Sequence, residues 1–450
     1  MTLVIVTMLL VGYLLIATSH VTNVNKAAIA MFIGTVGWVI YICYGADFVA
    51  HMHPREYIDF LAGQPASSMA VKHFIYDDIF LKYVAKAAAV ILFLLATMSI
   101  IEILNNNGCF DFIREWVRTR SSKRLLWTIS LATFVISANL DNLTTTTMML
   151  MIMRNIVQSR RQRMLIGSSI VLAANAGGCM TVIGDPAGVF LWGSGAVTAS
   201  NFSSYLILPS ILAWAIPTLL LSLNLPDRLD ATWLPSPFRG DDTNLNRWQR
   251  LVMLFVGIGG LWFIPTFHNI TKLSPFLGAL CVLSILWVVN ELFNRKLMNA
   301  DQLANNRLPR VLQYGSIQQI LFVMGVMLAL GAVKETGAWG DMATWLDFNI
   351  HNVWAVGILS GLMSGLVDTF TIAMSNFSLY PVVASKSADL CFSANKSKSL
   401  SADGEEKSII TSTVDFSFSK GKLILSKLSK TGTILLLLLK LPSKFLLPIF

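Results

Sequence analysis

The chain has 450 residues, of which 54% are hydrophobic and only 13% charged, with a mean hydropathy of +0.63. A soluble domain carries about 25% charged residues, so this composition excludes a soluble globular protein and reads as an all-α polytopic membrane protein, with the lipid bilayer as its first partner. The net charge of +9 does not point to nucleic acid, because residues 376–450 hold ten Lys against five Asp or Glu, about half of the excess.

The first apolar run, 2–18, has no basic flank and no small-residue cleavage site, so it reads as a retained helix and not a signal peptide. Further runs long enough to span lie at 27–44, 84–104, 165–193, 203–224, 248–266, 274–290 and 317–333. The 45–83 loop holds Asp47, Glu56, Asp59, Asp77 and Asp78 against Arg55, Lys72 and Lys82. Residues 105–124 carry Arg114, Arg118, Arg120, Lys123 and Arg124, and residues 154–163 carry Arg154, Arg160, Arg161 and Arg163. By the positive-inside rule the last two loops are cytoplasmic and the acidic one is outside, as is the amino terminus. Phe110–Arg118 reads as a short amphipathic helix on the membrane surface.

The segment 125–153 therefore begins and ends on the same side. Its middle is polar: Ser137-Ala138-Asn139-Leu140-Asp141-Asn142-Leu143-Thr144. This pattern predicts a re-entrant helical hairpin with its tip near Asn139–Thr146, buried in protein or lining a wet cavity. The next segment, 165–193, contains Asn175, Gly177, Gly178, Thr181, Gly184, Asp185, Pro186 and Gly188. Four Gly, a Pro and a charge break a membrane helix, so two half-helices are expected. The glycines alone would also suit a helix-packing face; Asp185 would not.

Residues 225–247 and 291–316 bear Arg and suit the cytoplasm, and 334–351 suits the outside. The segment 352–376 then starts from the outside. It carries Ser364-x-x-x-Asp368-Thr369-x-Thr371, which echoes Ser137-x-x-x-Asp141-Asn142-x-Thr144. Each copy follows a span that ends near a Glu and a Gly, Glu102 and Gly108 in one and Glu335 and Gly337 in the other. One copy enters from each side, the signature of inverted repeats with a site near the midplane. The organisation expected is a first half over 1–224, a cytoplasmic loop over 225–247, a second half over 248–383 and a tail over 384–450.

Intramembrane aspartates are functional-site candidates by default. Asp141, Asp185 and Asp368 are accompanied by Asn139, Asn142, Asn175, Thr144, Thr181, Thr371, Ser137 and Ser364, all oxygen donors. The five cysteines show no metal or redox spacing. Hard oxygens suit Na⁺, Li⁺ or H⁺ over a soft transition metal. A carboxylate tuned by burial and its neighbours can exchange a proton for a metal cation. The plainer alternative is one or two aspartates paired internally for helix association. An intramembrane aspartyl protease fits poorly, since the contexts Leu140-Asp141 and Val182-Ile183-Gly184-Asp185 lack its motifs, so no enzyme is expected.

Ser137–Thr147, Ala173–Gly188 and Ser364–Ser375 resemble the motifs of NhaD-type Na⁺/H⁺ antiporters of the ion transporter superfamily, across about residues 1–383. The resemblance implies exchange of internal Na⁺ or Li⁺ for external H⁺ by alternating access, and no cofactor. It implies an inverted-repeat fold with two re-entrant hairpins and two broken helices, a homodimer, and a bacterial inner membrane. By carry-over it puts ion binding on Asp141, Asn142, Thr144, Asn175, Asp185, Asp368 and Thr371, with Na⁺ at the three aspartates. Ser137, Asn139, Thr181, Ser364, Glu102 and Glu335 are supporting. Thr369 departs from the family's usual Asn. Dicarboxylate carriers of the superfamily have similar tips but a neutral residue at the Asp185 position, so an anion carrier is the alternative.

After about Val383 the character changes: Arg is absent after Arg310, Trp after Trp354, and Ser and Lys dominate 385–429. The second broken helix that the resemblance implies, with an Asn-Gly-Gly-like patch, has no counterpart there. The second repeat reads as incomplete, and a truncated, non-functional relative is a further alternative.

Overall fold

The computed structural model describes residues 1–62, 65–110, 112–113, 119, 121–228, 245–294, 314–350 and 353–380. Most of the surface helix expected over Phe110–Arg118, most of the loops 225–247 and 291–316, and the tail 384–450 lie outside the described residues. Among the described residues every regular element is helical, apart from an isolated bridge between Ser121 and Arg228. Six helices among the described residues are long and apolar enough to cross a membrane. They are α2 (Lys26–Cys43), α3 (Ser68–Asn106), α8 (Ala199–Leu223), α9 (Arg247–Thr271), α10 (Pro275–Phe293) and α11 (Ile317–Glu335). Before them lies α1 (Thr2–Ala17), and between them lie α4 (Ser122–Ser137), α5 (Asn142–Ile156), α6 (Arg160–Gly178) and α7 (Pro186–Gly193). After them come α12 (Ala338–Asn349), α13 (Val353–Leu366) and α14 (Thr369–Leu379).

Two regions read as loops are helical. Gly45–Met52 and Pro54–Leu61 form short helices, and α3 starts sixteen residues before the run that begins at 84, at Ser68. Asp77, Asp78 and Lys82 interrupt the apolar pattern but not the helix. Lys82 lies 3.6 Å from Asp78, a one-turn pair. Ser67 caps the new start by accepting from the Ala70 amide. The 334–351 stretch likewise contains α12.

The chain divides into two compact units, each discontinuous in sequence. Among the described residues the first holds Met1–Ala88, Ser194–Thr198 and 321–380. Here α1 packs along α2, and α2 meets the later part of α11. The approach is close: a Cβ on Gly34 would lie 2.8 Å from the Gly325 carbonyl oxygen. Small residues at such a crossing let two membrane helices touch backbone to backbone. Above it the Trp38 indole donates to the Leu328 carbonyl at 3.0 Å, and its ring packs on Tyr41, Phe80 and Tyr83.

The second unit holds Ala89–Gly193 and Ala199–Ile320. Helix α6 is its centre, packed against α4, α5 and α8. Phe134, Ala173, Ala176 and Ala213 form the buried contact, with Trp214 against it. Pro209 and Pro217 sit inside α8, where a membrane helix tolerates them. Helix α9 starts with a reciprocal cap between Asn246 and Gln249.

The crossing of α2 and α11 yields a test. Gly325→Ala places a Cβ about 2.5 Å from the backbone of Ala30 and Met31, and overpacking of this kind costs about 1–3 kcal/mol. Gly340 has nothing within 4 Å and lies within α12. Thermal unfolding of the detergent-solubilised chain should fall in Gly325→Ala and hold or rise in Gly340→Ala.

Candidate functional site

Helix α4 ends at Ser137 and α5 starts at Asn142, leaving Ala138–Asp141 outside helical structure. The break follows from its residues. Asp and Asn compete for backbone donors and favour helix starts. Asp141 is the N-cap of α5: its Oδ2 accepts from the Thr144 amide at 3.1 Å and from the Thr144 hydroxyl at 3.2 Å. The Gln319 amide reaches Oδ1 at 3.4 Å. Asp141 is 4% exposed, so these donors replace the water that its carboxylate has lost. The positive end of α5 adds to them.

The α6–α7 break lies against it. Cys179–Asp185 is non-helical, and glycine allows the approach. A Cβ on Gly184 would sit 2.7 Å from Gly178 Cα and 2.8 Å from the Ser137 carbonyl oxygen. One on Gly178 would sit 3.2 Å from Asn142 Cβ. The Thr181 hydroxyl donates to the Ala138 carbonyl and accepts from the Gly184 amide, and the Ser137 hydroxyl donates to the Ala174 carbonyl at 2.6 Å. Asp185 is the residue before Pro186, which opens α7, and its carbonyl accepts from the Val189 amide at 3.2 Å. Proline suits that first position because its missing N–H has no helical partner to lose. So Ser137, Asp141, Asn142, Thr144 and Thr181 come together in one unit, with the backbone of Asp185 following Gly184 in the facing break. The Asn139 and Asn175 amides turn back onto their own helices, to the Val135 and Val171 carbonyls.

The other unit contains a second break of the same kind. Helix α13 ends at Leu366 and α14 starts at Thr369. Asp368 is its N-cap: Oδ2 accepts from the Phe370 amide at 3.1 Å and the Thr371 amide at 3.4 Å. In both breaks the capping carboxylate takes the amide of the Thr three residues on. The remaining oxygen, Oδ1, lies 3.0 Å from Lys26 Nζ. The hydroxyls of Ser364, Thr369 and Thr371 are buried with no hydrogen-bond partner. Tyr13 OH and Ser375 Oγ are 2.6 Å apart, and Ser375 donates to the Thr371 carbonyl.

The two glutamates stand differently. Glu102 is buried within α3. Glu335 is buried too, with Oε2 2.7 Å from His53 Nε2 and Oε1 accepting from Tyr83 OH at 2.6 Å. It ends α11, thirteen residues beyond Phe322, whose ring lies against Lys26. At 1.5 Å per residue that is about 20 Å along the helix, so Glu335 is not at the Asp368 tip. Among the described residues no three His, Cys, Asp or Glu side chains gather as a metal-holding group.

Over residues 1–390 the sequence matches the family described as citrate transporter. The chain belongs to this family. With its apolar helices, that makes it a multi-pass membrane protein of a transporter family. Sodium/proton antiporter 2 of Arabidopsis thaliana is 27% identical over 371 residues, 82% of this chain and 81% of that protein. Sodium/proton antiporter 1 of the same plant is 29% identical over 300 residues, 67% of this chain and 51% of that protein. The Na⁺/H⁺ antiporter NhaD of Vibrio parahaemolyticus is 26% identical over 318 residues, 65% of this chain and 74% of that protein.

Sequence reasoning missed Lys26, Gln319, His53 and Tyr83. Lys26 had a signal: it is the one Lys or Arg in the first 46 residues and stands at the start of an apolar run. Gln319 follows a second Gln at the start of another.

The cap at Asp141 separates two substitutions. Asn caps as well as Asp, whereas Ala costs about 0.5–2 kcal/mol. Thermal unfolding should show Asp141→Asn near wild type and Asp141→Ala clearly lower.

Proposed function

We propose that the chain is a secondary transporter that exchanges Na⁺ or Li⁺ for H⁺ by alternating access. The observation that carries this reading is the buried Asp141 carboxylate. It stands at a helix break, among hydroxyl, amide and carbonyl oxygens, against a second break that ends in Asp185. A proton or a small hard cation can each neutralise such a carboxylate, and competition between them is sufficient for exchange. The ions are cargo, held by a carboxylate together with neutral oxygens such as Asn142, Thr144, Asn175 and Thr181. Asp368 and Thr371 supply the corresponding groups of the second half, with Ser364 beside them.

The two helix–break–helix segments support the reading of re-entrant hairpins in inverted repeats. Helices α4 and α5 have 16 and 15 residues, about 24 Å and about 22 Å, short of a bilayer core of about 30 Å. The names of the plant and Vibrio relatives support a cation. The family description favours an anion, which is the second reading. Against it stands the sign of the site, since an anion would meet Asp141 and Asp185 as like charges. A homodimer and a bacterial inner membrane complete the proposal, as does a second repeat left incomplete by the tail.

Everted vesicles carrying the chain test it. Na⁺ or Li⁺ should dissipate an imposed pH gradient, and Asp141→Asn, still folded, should lower the rate at least 100-fold, on the order expected for loss of a group that carries the ion. Undiminished exchange in that variant removes the central claim. Stimulation by citrate or another dicarboxylate without Na⁺ supports the anion carrier instead.

A further inference from the structure

Lys26 has no reason of helix stability to be where it is. It is the first residue of α2, whose start is already capped by Asn25 through the Ala27 amide at 2.9 Å. A positive charge in the first turn opposes the helix dipole. What it meets is Asp368, in the same unit. The helix amides of α14 occupy Oδ2 of that carboxylate, and the ammonium occupies Oδ1 at 3.0 Å. The same ammonium lies 4.4 Å from the centre of the Phe322 ring. The ring face attracts the ammonium where it already lies against Asp368. The Lys26 side chain is 47% exposed and that of Asp368 18%, so the ammonium keeps room to swing while the carboxylate does not. On either side of that carboxylate in the sequence are the buried hydroxyls of Ser364, Thr369 and Thr371, none with a hydrogen-bond partner. Buried hydroxyls are nearly always paired, so three unpartnered ones within four residues of Asp368 in the sequence are oxygens of the kind a small hard cation takes.

We infer that Lys26 is a tethered counter-cation in the place of the transported one at Asp368. Resting on the cation reading above, the inference is that Na⁺ or Li⁺ gains Oδ1 only by displacing the ammonium, so Lys26 sets the affinity of this half of the site. Lysine suits the task better than arginine. Its ammonium is a compact charge on a flexible stem, whereas a guanidinium forks onto a carboxylate through two bonds and leaves less readily.

The test is direct binding of radioactive Na⁺ to the purified full chain, wild type beside Lys26→Gln and Lys26→Arg. Removing the competitor should tighten apparent Kd by about three- to tenfold in Lys26→Gln, and Lys26→Arg should weaken it. A pair that serves structure alone would lower the unfolding temperature of Lys26→Gln and leave Kd unchanged, which overturns the inference while the cation reading stands. If Lys26→Gln does not fold, Lys26→Arg keeps the pair; an unchanged Kd there overturns the inference equally. No Na⁺ binding by wild type or by Lys26→Gln removes the cation reading and the inference together.

Discussion

A carboxylate that leaves water for apolar surroundings needs donors, and the start of a helix offers them already oriented. That constraint fixes the local structure of the breaks. Asp141 and Asp368 are each N-caps, and each draws the amide of a Thr three residues on. Asp185 stands at the same place relative to a helix that opens with Pro186. A helix that ran straight through Asp141 or Asp368 would leave its aspartate without those amides. The broken geometry is thus a condition for having a carboxylate there at all, and the proposed ion exchange rests on that condition.

Breaks expose backbone, and exposed backbone must itself be satisfied. In the second unit the two breaks satisfy each other. Thr181 closes onto the Ala138 carbonyl, Ser137 onto the Ala174 carbonyl, and Gly178 and Gly184 remove the side chains that would hold them apart. Neither break would be tolerable alone in an apolar setting. Together they form a small polar core in which amide, hydroxyl and carbonyl oxygens lie close to one buried charge. The glycines that read as packing residues and the aspartates that read as functional are parts of one arrangement, because close approach is what lets the carboxylate have polar neighbours.

The breaks were legible in the sequence because their causes are local. Asp, Asn, Gly and Pro act on their own backbone, so Ser137–Thr144, Ala173–Gly188 and Ser364–Thr371 could be marked residue by residue. The spans were legible for the same reason, except at α3, where Asp77 and Asp78 masked sixteen residues of helix. The partners of the charges were not legible. Gln319 is 178 residues from Asp141, and Lys26 is 342 from Asp368. No periodicity or spacing connects such pairs; only the packing of α2, α11 and the helix breaks brings them into reach. Glu335 shows the converse. Its position after an apolar run matched that of Glu102, yet its partners are His53 and Tyr83, well along α11 from the tip.

The two breaks share a sequence frame and a capping geometry, but differ in what faces the free carboxylate oxygen. At Asp141 it is the amide of Gln319, a neutral donor that leaves the negative charge in place. At Asp368 it is the ammonium of Lys26, which cancels it. A neutral donor leaves a site that a mobile ion must neutralise; an ammonium leaves a site that a mobile ion must enter against a rival. In the antiport reading this makes the halves unequal in role: the Asp141 half holds the ion by its charge, and the Asp368 half sets how much ion is needed before it responds. Equal motifs thus support unequal halves, and the inequality is decided by residues outside the motifs.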